Sequence, residues 1–441
     1  MTAARAGMSA VRRAVAALLT LASAGAGAGA GAGAAVGAGE GANAAPLEFG
    51  GQVRPEYIDR QAATNGPLAQ AANLGTGIVT PPASGPVLET ELHVSGHGVT
   101  GIATLQQQRR EGEGGLQSHA WVNELYASGE ALGWQFSAGK KIVAWDVGYG
   151  FRPNDFVAQE LRRTLLATTT EGRPVLTAEH FDASTAWSFV LVNPTKPRAQ
   201  RGAEEPAFAA RVYQRDGAID WHGFARYGAH TGASLGAAAA WVAGDALELH
   251  GSVRWLNAAD TTAIDAGAIK ASATGLIRSN PWVDASVRHV AQALVGGTWT
   301  NADQLSVLAE AWWDGTAPSN AQWDAWNARN RQLGSLIGTR VPASAVAGNL
   351  AWQASAFGAS SNLRRANLFM RLSRTVEKWQ PALDVLYTPA DAGRVVTVSL
   401  GWQGDRVRFD GGLRVYGGPG DAVLAQLPTR RIGWLAGTWS F

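Results

Sequence analysis

The chain of 441 residues contains no cysteine. That absence removes disulfides, thiolate nucleophiles and cysteine metal sites together, and it rules out anchoring through a lipidated amino-terminal cysteine. Charge is sparse as well, at 16% Asp, Glu, Lys and Arg. The mean hydropathy is −0.07, too polar for a bundle of membrane helices and too apolar for a disordered chain. Beyond the amino terminus, no apolar run is long enough for a transmembrane helix. This last absence does not decide between soluble and membrane folds, because a closed barrel satisfies its backbone within lipid without any helix. What the chain has in abundance is glycine, 54 residues, and tryptophan, 18 residues. Glycine suits tight turns and strand crossings, and tryptophan suits the boundary between membrane and water.

The amino terminus has the layout of a secretory signal over residues 1–44. Arg5, Arg12 and Arg13 form a basic region, Ala14–Ala22 a short apolar core, and Ala42-Asn43-Ala44 a small-x-small cleavage site. The apolar core is too short to span a bilayer, and glycine breaks it afterwards. Removing it deletes three arginines and Glu40 and leaves 34 basic and 34 acidic side chains. Such a mature chain is formally neutral and offers no excess of positive charge for nucleic acid.

From Leu47 onward, segments of about ten residues alternate apolar and polar side chains. Leu47, Phe49, Val53 and Tyr57 oppose Glu48, Gln52, Arg54 and Glu56, and Leu88, Leu92 and Val94 oppose Glu89, Glu91 and His93. The same period runs through Ile219–Tyr227, Leu247–Trp255, Leu305–Trp313, Leu368–Leu372, Trp379–Tyr387 and Val407–Val415. Asp216-Gly217, Gly244-Asp245, Asn301-Ala302-Asp303 and Gly404-Asp405 supply hairpin turns. The pattern predicts an all-β fold of about eighteen antiparallel strands, with a range of about 16–20. Residues 88–109 read as one strand or two, and 315–347 as a connection that hides another strand. Longer connections fall near 59–86, 144–173, 257–289, 315–347 and 417–430. Two of them read as partly helical: Asn154 or Asp155 caps one helix carrying Phe156, Leu161 and Leu165, and Asn320 caps another carrying Trp323, Trp326 and Leu333. Such pieces either cap the mouth, fold inward, or lie as ordered surface loops.

The last strand, Arg431–Phe441, puts Leu435, Trp439 and Phe441 on one face with Gly433 and Gly437 between them, and Thr438 and Ser440 on the other. A terminal Phe closing an apolar-out strand resembles the end of Gram-negative outer-membrane β-barrels. That resemblance implies a single transmembrane up-and-down barrel over 45–441, in contact with outer-membrane lipid and lipopolysaccharide. It also implies that Phe441 and Trp439 form the signal read by the barrel-assembly machinery. The stretch Gly139-Lys140-Lys141-Ile142-Val143-Ala144-Trp145-Asp146-Val147-Gly148-Tyr149-Gly150-Phe151-Arg152-Pro153-Asn154-Asp155 resembles a recurrent segment of porin-like and alginate-export-like barrels. The resemblance supports the barrel family and carries no substrate. No Gly-Lys-Ser/Thr follows Gly148 and Gly150, so a phosphate loop is not indicated.

In lipid the apolar face must point outward, and a charge there costs about 2–4 kcal/mol at the midplane. The charged faces therefore line a wet interior. The pore-lining candidates are Arg54, Glu91, Arg211, Arg226, Glu248, Arg254, Glu310, Arg371, Arg406, Arg408 and Arg414. The carboxyl-terminal strands lean basic, which favours anionic solutes if the guanidinium groups stand free. Pairing across and along the wall neutralises that bias, and this is the commoner arrangement. An enzyme needs a discriminating motif. No His-Glu-x-x-His is present, and His93 and His97, four residues apart on a strand, stand about 13 Å from each other. Neither a cofactor nor catalysis is indicated. The alternatives to a channel are polysaccharide export or structural and adhesive work through the loops. Oligomeric state is not encoded in any feature of the sequence. A plug domain inside a wider barrel is not expected, because strands begin directly after the cleavage site.

Overall fold

A computed structural model describes residues 47–109, 115–157, 171–270, 272 and 275–441. The signal expected over 1–44 lies outside the described residues, as do Leu161 and Leu165. Eighteen strands form one sheet. They are β1 (Glu48–Ala62), β2 (Gly85–Gly96), β3 (Val99–Gln108), β4 (Gln117–Ala131), β5 (Trp134–Lys141), β6 (Arg173–Phe181), β7 (Thr185–Val192), β8 (Ala207–Asp216) and β9 (Ile219–Gly228). The second half comprises β10 (Gly232–Val242), β11 (Leu247–Ile264), β12 (Trp282–Thr300), β13 (Leu305–Asp314), β14 (Ala366–Arg374), β15 (Trp379–Thr388), β16 (Gly393–Gln403), β17 (Val407–Gly417) and β18 (Thr429–Ser440).

Each strand pairs antiparallel with its neighbours in sequence, and β18 pairs back onto β1, from Gln52↔Ser440 to Ala62↔Thr429. The ladder is a closed up-and-down barrel with no free edge, which is what a lipid solvent demands of a sheet. The run 88–109 is two strands joined at His97-Gly98. Residues 315–347 hold helices in place of the extra strand, and much of 257–289 is the extended β11–β12 hairpin, paired from Leu247↔Trp299 to Ile264↔Trp282.

The two rims differ. Hairpins such as Leu132-Gly133, Asp216–Ile219 and Gln403–Val407 close one rim. The longer connections, among them those that follow β1, β5, β7, β11, β13 and β17, leave from the other. There the helices Pro67–Asn73, Asn320–Gly334 and Ala343–Trp352 form a cap. One apolar cluster joins Ala71, Leu333, Val346, Ala347 and Leu350, and a second joins Trp323, Trp326, Ala356 and Val423. Ser319, not Asn320, caps the 320–334 helix: its hydroxyl accepts from Gln322 N–H at 3.3 Å, and the Gln322 side chain returns a bond to Ser319 N–H at 2.7 Å. This reciprocal box satisfies two orphan amides of the first turn. Arg329, on the buried face of this helix, donates to the Gly275 carbonyl and to Asn349. Burial lowers its pKa from the ordinary arginine value.

The alternation points as its chemistry requires. Leu435 is 72% exposed and Tyr227 64%, and Phe49, Leu235, Val253, Val295, Val398 and Phe409 stand outward with them. Exposed Trp187, Trp221, Trp241, Trp299, Trp379 and Trp439 ring the barrel near the tight-turn rim, and Tyr57, Phe208, Tyr227, Trp255, Trp313 and Tyr387 ring it towards the cap. On β11 the outward run from Leu247 to Trp255 measures about 27 Å along the strand. A tilt near 40° leaves about 20 Å along the barrel axis, close to the apolar band of membrane barrels.

Several stretches of the wall depart from the apolar-out, polar-in rule, most extensively on β6–β10. Val175, Val190, Val192, Ala207, Ala209, Phe224 and Ala238, all on the inner faces of β6–β10, are buried in a cluster with Val143, Trp145, Phe156 and Val157. On the last strand, Trp434 and Ala436 are likewise buried on the inner face. These inward apolar side chains do not meet solvent. The first group is the seat for the connection after β5.

Candidate functional site

That connection, Ile142–Val157, turns into the lumen and packs along the wall, with no helix within it among the described residues. Asn154 and Phe156 lie in turns there, and the rest of the helix expected after Asn154 or Asp155 lies outside the described residues. Three anchors hold the segment. Asp146 accepts hydrogen bonds from Val147 N–H (2.9 Å), Asn154 N–H (2.6 Å) and the Ser252 hydroxyl (2.9 Å). Asn154 donates to Ser252 Oγ (2.9 Å) and to the Val253 carbonyl (3.1 Å). Glu310, 3% exposed, accepts from the backbone N–H groups of Tyr149 and Gly150, both at 2.6 Å. Gly236 faces the Asn154 amide so closely that any Cβ there would overlap its oxygen. Glycine on β10 is what lets the loop sit down on the wall.

Arg254 completes the fastening. Its guanidinium donates to the Pro153 carbonyl (3.0 Å) and to Ser234 Oγ (3.1 Å), and it stacks 4.8 Å from the Phe156 ring centroid. The bonds engage the planar fork on two edges while the ring takes its face. Tyr149 stacks on Phe369 at 5.9 Å, and Phe151 on Trp312 at 5.9 Å, so aromatic pairs bridge loop and wall.

Between this loop and the cap lies a cavity of about 950 Å³. Arg152, Arg173, Arg226, Arg254, Arg371 and Arg414 line it against Asp155, Glu205, Asp260 and Asp384. Six cations against four anions leave the cavity basic, although several are paired. Arg371 bonds both oxygens of Asp384 at 2.9 and 3.0 Å. Arg226 meets Glu205 at 2.7 Å, with both side chains buried. Arg414 donates to Thr397 Oγ1 at 2.9 Å. Leu363, Leu424 and Leu427 reach the same space from the cap side.

The sequence-derived candidates thus divide by position. Arg226, Arg254, Arg371 and Arg414 meet in the cavity. Glu310 and Arg254 hold the loop, and Glu248 bonds His250 at 3.0 Å. Arg211 lies nearer the tight-turn rim, 3.2 Å from His222 and 5.5 Å from the Tyr213 ring centroid. Arg408 also lies towards that rim and pairs with Asp410 at 2.8 Å. On the first strands, Arg54 and Glu91 occupy the inner face, where Glu91 accepts from Gln52 at 3.0 Å. Arg406, expected on the lumen face, stands in the turn before β17 and is exposed at the rim. Trp439 and Phe441 are exposed on the outer face, their ring centroids 5.1 Å apart.

Sequence reading missed Glu205. It lies between strands and shows no motif, yet it receives N–H bonds from His230 and Thr231 at 2.6 Å each as well as the Arg226 guanidinium. Burial alone raises its pKa, but Arg226 and these donors outweigh that and hold the carboxyl below the ordinary glutamate value. Also missed was Gly232-Ala233-Ser234-Leu235-Gly236, which has the letters of a nucleophile elbow. It lies within β10 rather than on a strand-to-helix turn, and Ser234 Oγ accepts from Arg254. His93 bonds Glu91 rather than His97, and no cluster of metal-ligating side chains occurs among the described residues.

No family model matches the chain, and no curated protein matches it. Among solved structures, a triple mutant of the porin of Rhodopseudomonas blastica is similar at 11% identity and a TM-score of 0.41, covering 90% of this chain and 100% of that one. A structure titled "Asymmetric conductivity of engineered proteins" gives 12% identity and a TM-score of 0.41 over the same shares. The ring of eighteen pairings defines the barrel independently of these likenesses.

Proposed function

We propose that this protein is a diffusion channel of a Gram-negative outer membrane, passing small hydrophilic solutes through a water-filled lumen and favouring anionic ones. One observation carries the reading: a belt of exposed apolar side chains surrounds a lumen whose cavity of about 950 Å³ holds six arginines and four carboxylates. Buried charges of this number need water or a charged solute around them. The Ile142–Val157 loop narrows the passage, and the cavity arginines replace part of a solute's hydration there. Arginine forks suit carboxylate and phosphate groups, which is the source of the anionic lean. In this reading the protein is not an enzyme and uses no cofactor. Its partners are lipid, lipopolysaccharide, the barrel-assembly machinery that reads Trp439 and Phe441, and the solutes themselves.

Liposomes containing the purified barrel test the proposal, with a swelling panel of sugars, amino acids and organic acids. Swelling that falls with solute size and is faster for organic acids than for sugars of equal mass supports it. Liposomes that behave like protein-free vesicles for every solute rule it out.

A further inference from the structure

We infer that Glu310, backed by His250, is a proton-sensitive clasp that sets the position of the Ile142–Val157 loop and hence the width of the passage. This rests on the channel reading for its consequence, but its geometry stands alone. The Glu310 side chain receives two successive backbone N–H groups of the loop, those of Tyr149 and Gly150. A carboxylate accepting paired amides holds a backbone whatever the side chains there. Behind it, His250 Nε2 lies 3.0 Å from Glu310 Oε1, while His250 Nδ1 lies 3.0 Å from Glu248 Oε2. Gly296 on the intervening strand leaves room for the contact: a Cβ there would lie 2.6 Å from Glu310 Cγ and 2.8 Å from His250 Nε2.

An imidazole between two carboxylates has a proton requirement. With two ring protons it donates to both; with one it donates to a single carboxylate and turns a lone pair on the other. Losing that proton unbalances Glu310, and adding one to Glu310 removes an acceptor from the loop. The neighbouring groups are otherwise committed. Asp146 bonds the loop and Ser252, Arg152 donates to the Gly148 carbonyl, and Arg371, over the Tyr149 ring, pairs with Asp384. β12 contributes no charge at this level, where Gly296 lies opposite both His250 and Glu310, and β14 contributes Phe369. The loop is therefore held most firmly where imidazolium and carboxylate coexist, and it loosens as the imidazole loses its proton.

The absence of cysteine makes the test direct. A nitroxide on Tyr149→Cys, whose backbone N–H is unchanged, reports loop motion in the full-length barrel in detergent. The expected spectrum is immobilised near pH 6 and more mobile near pH 9, values bracketing the ordinary imidazole range of about 6.5. With Glu310→Gln added, the label is mobile at both values; with His250→Gln added, the pH response disappears. An unchanged line shape between the two pH values, or an immobilised label in folded Glu310→Gln, overturns the clasp. Should Glu310→Gln fail to give a heat-modifiable barrel, the His250→Gln spectra decide. Planar-bilayer recordings of the same proteins separate the two readings. Higher unitary conductance and noise in the mobile variants supports both. A wild type without conductance defeats the channel, while the spectra still judge the clasp.

Discussion

Gly51 and Phe441 exchange two backbone hydrogen bonds, 3.1 Å from Gly51 N–H to the Phe441 carbonyl and 3.0 Å from Phe441 N–H to the Gly51 carbonyl. The last residue of the chain is thereby sewn to the first strand. A Cβ at position 51 would lie 2.5 Å from the Glu91 carbonyl oxygen and 2.8 Å from the Phe441 ring. Gly51→Val should therefore open the seam between β1 and β18. Refolded samples of this variant are expected to lose most of the heat-modifiable band on detergent gels. A wild-type yield would mean that the seam tolerates the side chain.

The contact of Gly236 with Asn154 predicts a second outcome. Gly236→Val lifts the loop from β10 and breaks the Asn154 bonds to Ser252 and Val253, leaving buried polar groups unpaired at about 1–3 kcal/mol each. Single-channel conductance is expected to rise and to become noisier, with barrel folding retained. Asn154→Ala should act in the same direction more weakly, since it removes the bonds without a collision.

Charge in the cavity predicts the sign of selectivity. Asp384→Asn leaves Arg371 without its bidentate partner and makes the lining more basic. Its reversal potential in a potassium chloride gradient should move toward the chloride equilibrium potential. Arg414→Gln should move it the other way. Equal potentials for the two variants would show that pairing screens this part of the wall completely.

Glu205 predicts a pH dependence outside the membrane. Its carboxyl is held below the ordinary value of 4.5, so its contribution is complete above that value. It is lost as pH falls through the lower, folded value. Amides of His230 and Thr231, which bond this carboxylate, should become exchange-labile on acidification while strand amides stay protected. In Glu205→Gln they should be labile at neutral pH as well. Hydrogen exchange followed by mass spectrometry reads both.

The barrel was legible because its rule is local. Each strand carries its own sidedness in a period of two, as in Leu247–Trp255, and each tight turn carries its own glycine, asparagine or aspartate. The lumen was less so, because its occupant comes from elsewhere in the chain. Val190, Ala209 and Phe224 face inward against the sense of the wall since Trp145 and Phe156 cover them, and nothing in their own strands announces that cover. Glu310 read as one more lumen charge; its part as an anchor depends on loop amides 160 and 161 positions away. Arg406 matched the alternation of its neighbours, yet β17 begins one residue later and leaves it at the rim. Glu205 carried no signal at all, lying in a connection whose geometry is set by the 228–232 hairpin. The helical pieces were half visible: the apolar spacing of Trp323, Trp326 and Leu333 marked one, displaced by a single residue at its cap.

The seat built on β6–β10 has a consequence for traffic. If the barrel conducts as proposed, the geometric centre is not the route, because one flank of the cylinder is occupied by its own loop. A permeant would then travel off-axis, between β14–β17 on one side and the tip at Tyr149–Arg152 on the other. Size exclusion is then asymmetric: bulk added on the inner faces of β14–β17 obstructs at once, whereas bulk added beneath the seated segment obstructs only by pushing that segment across the gap.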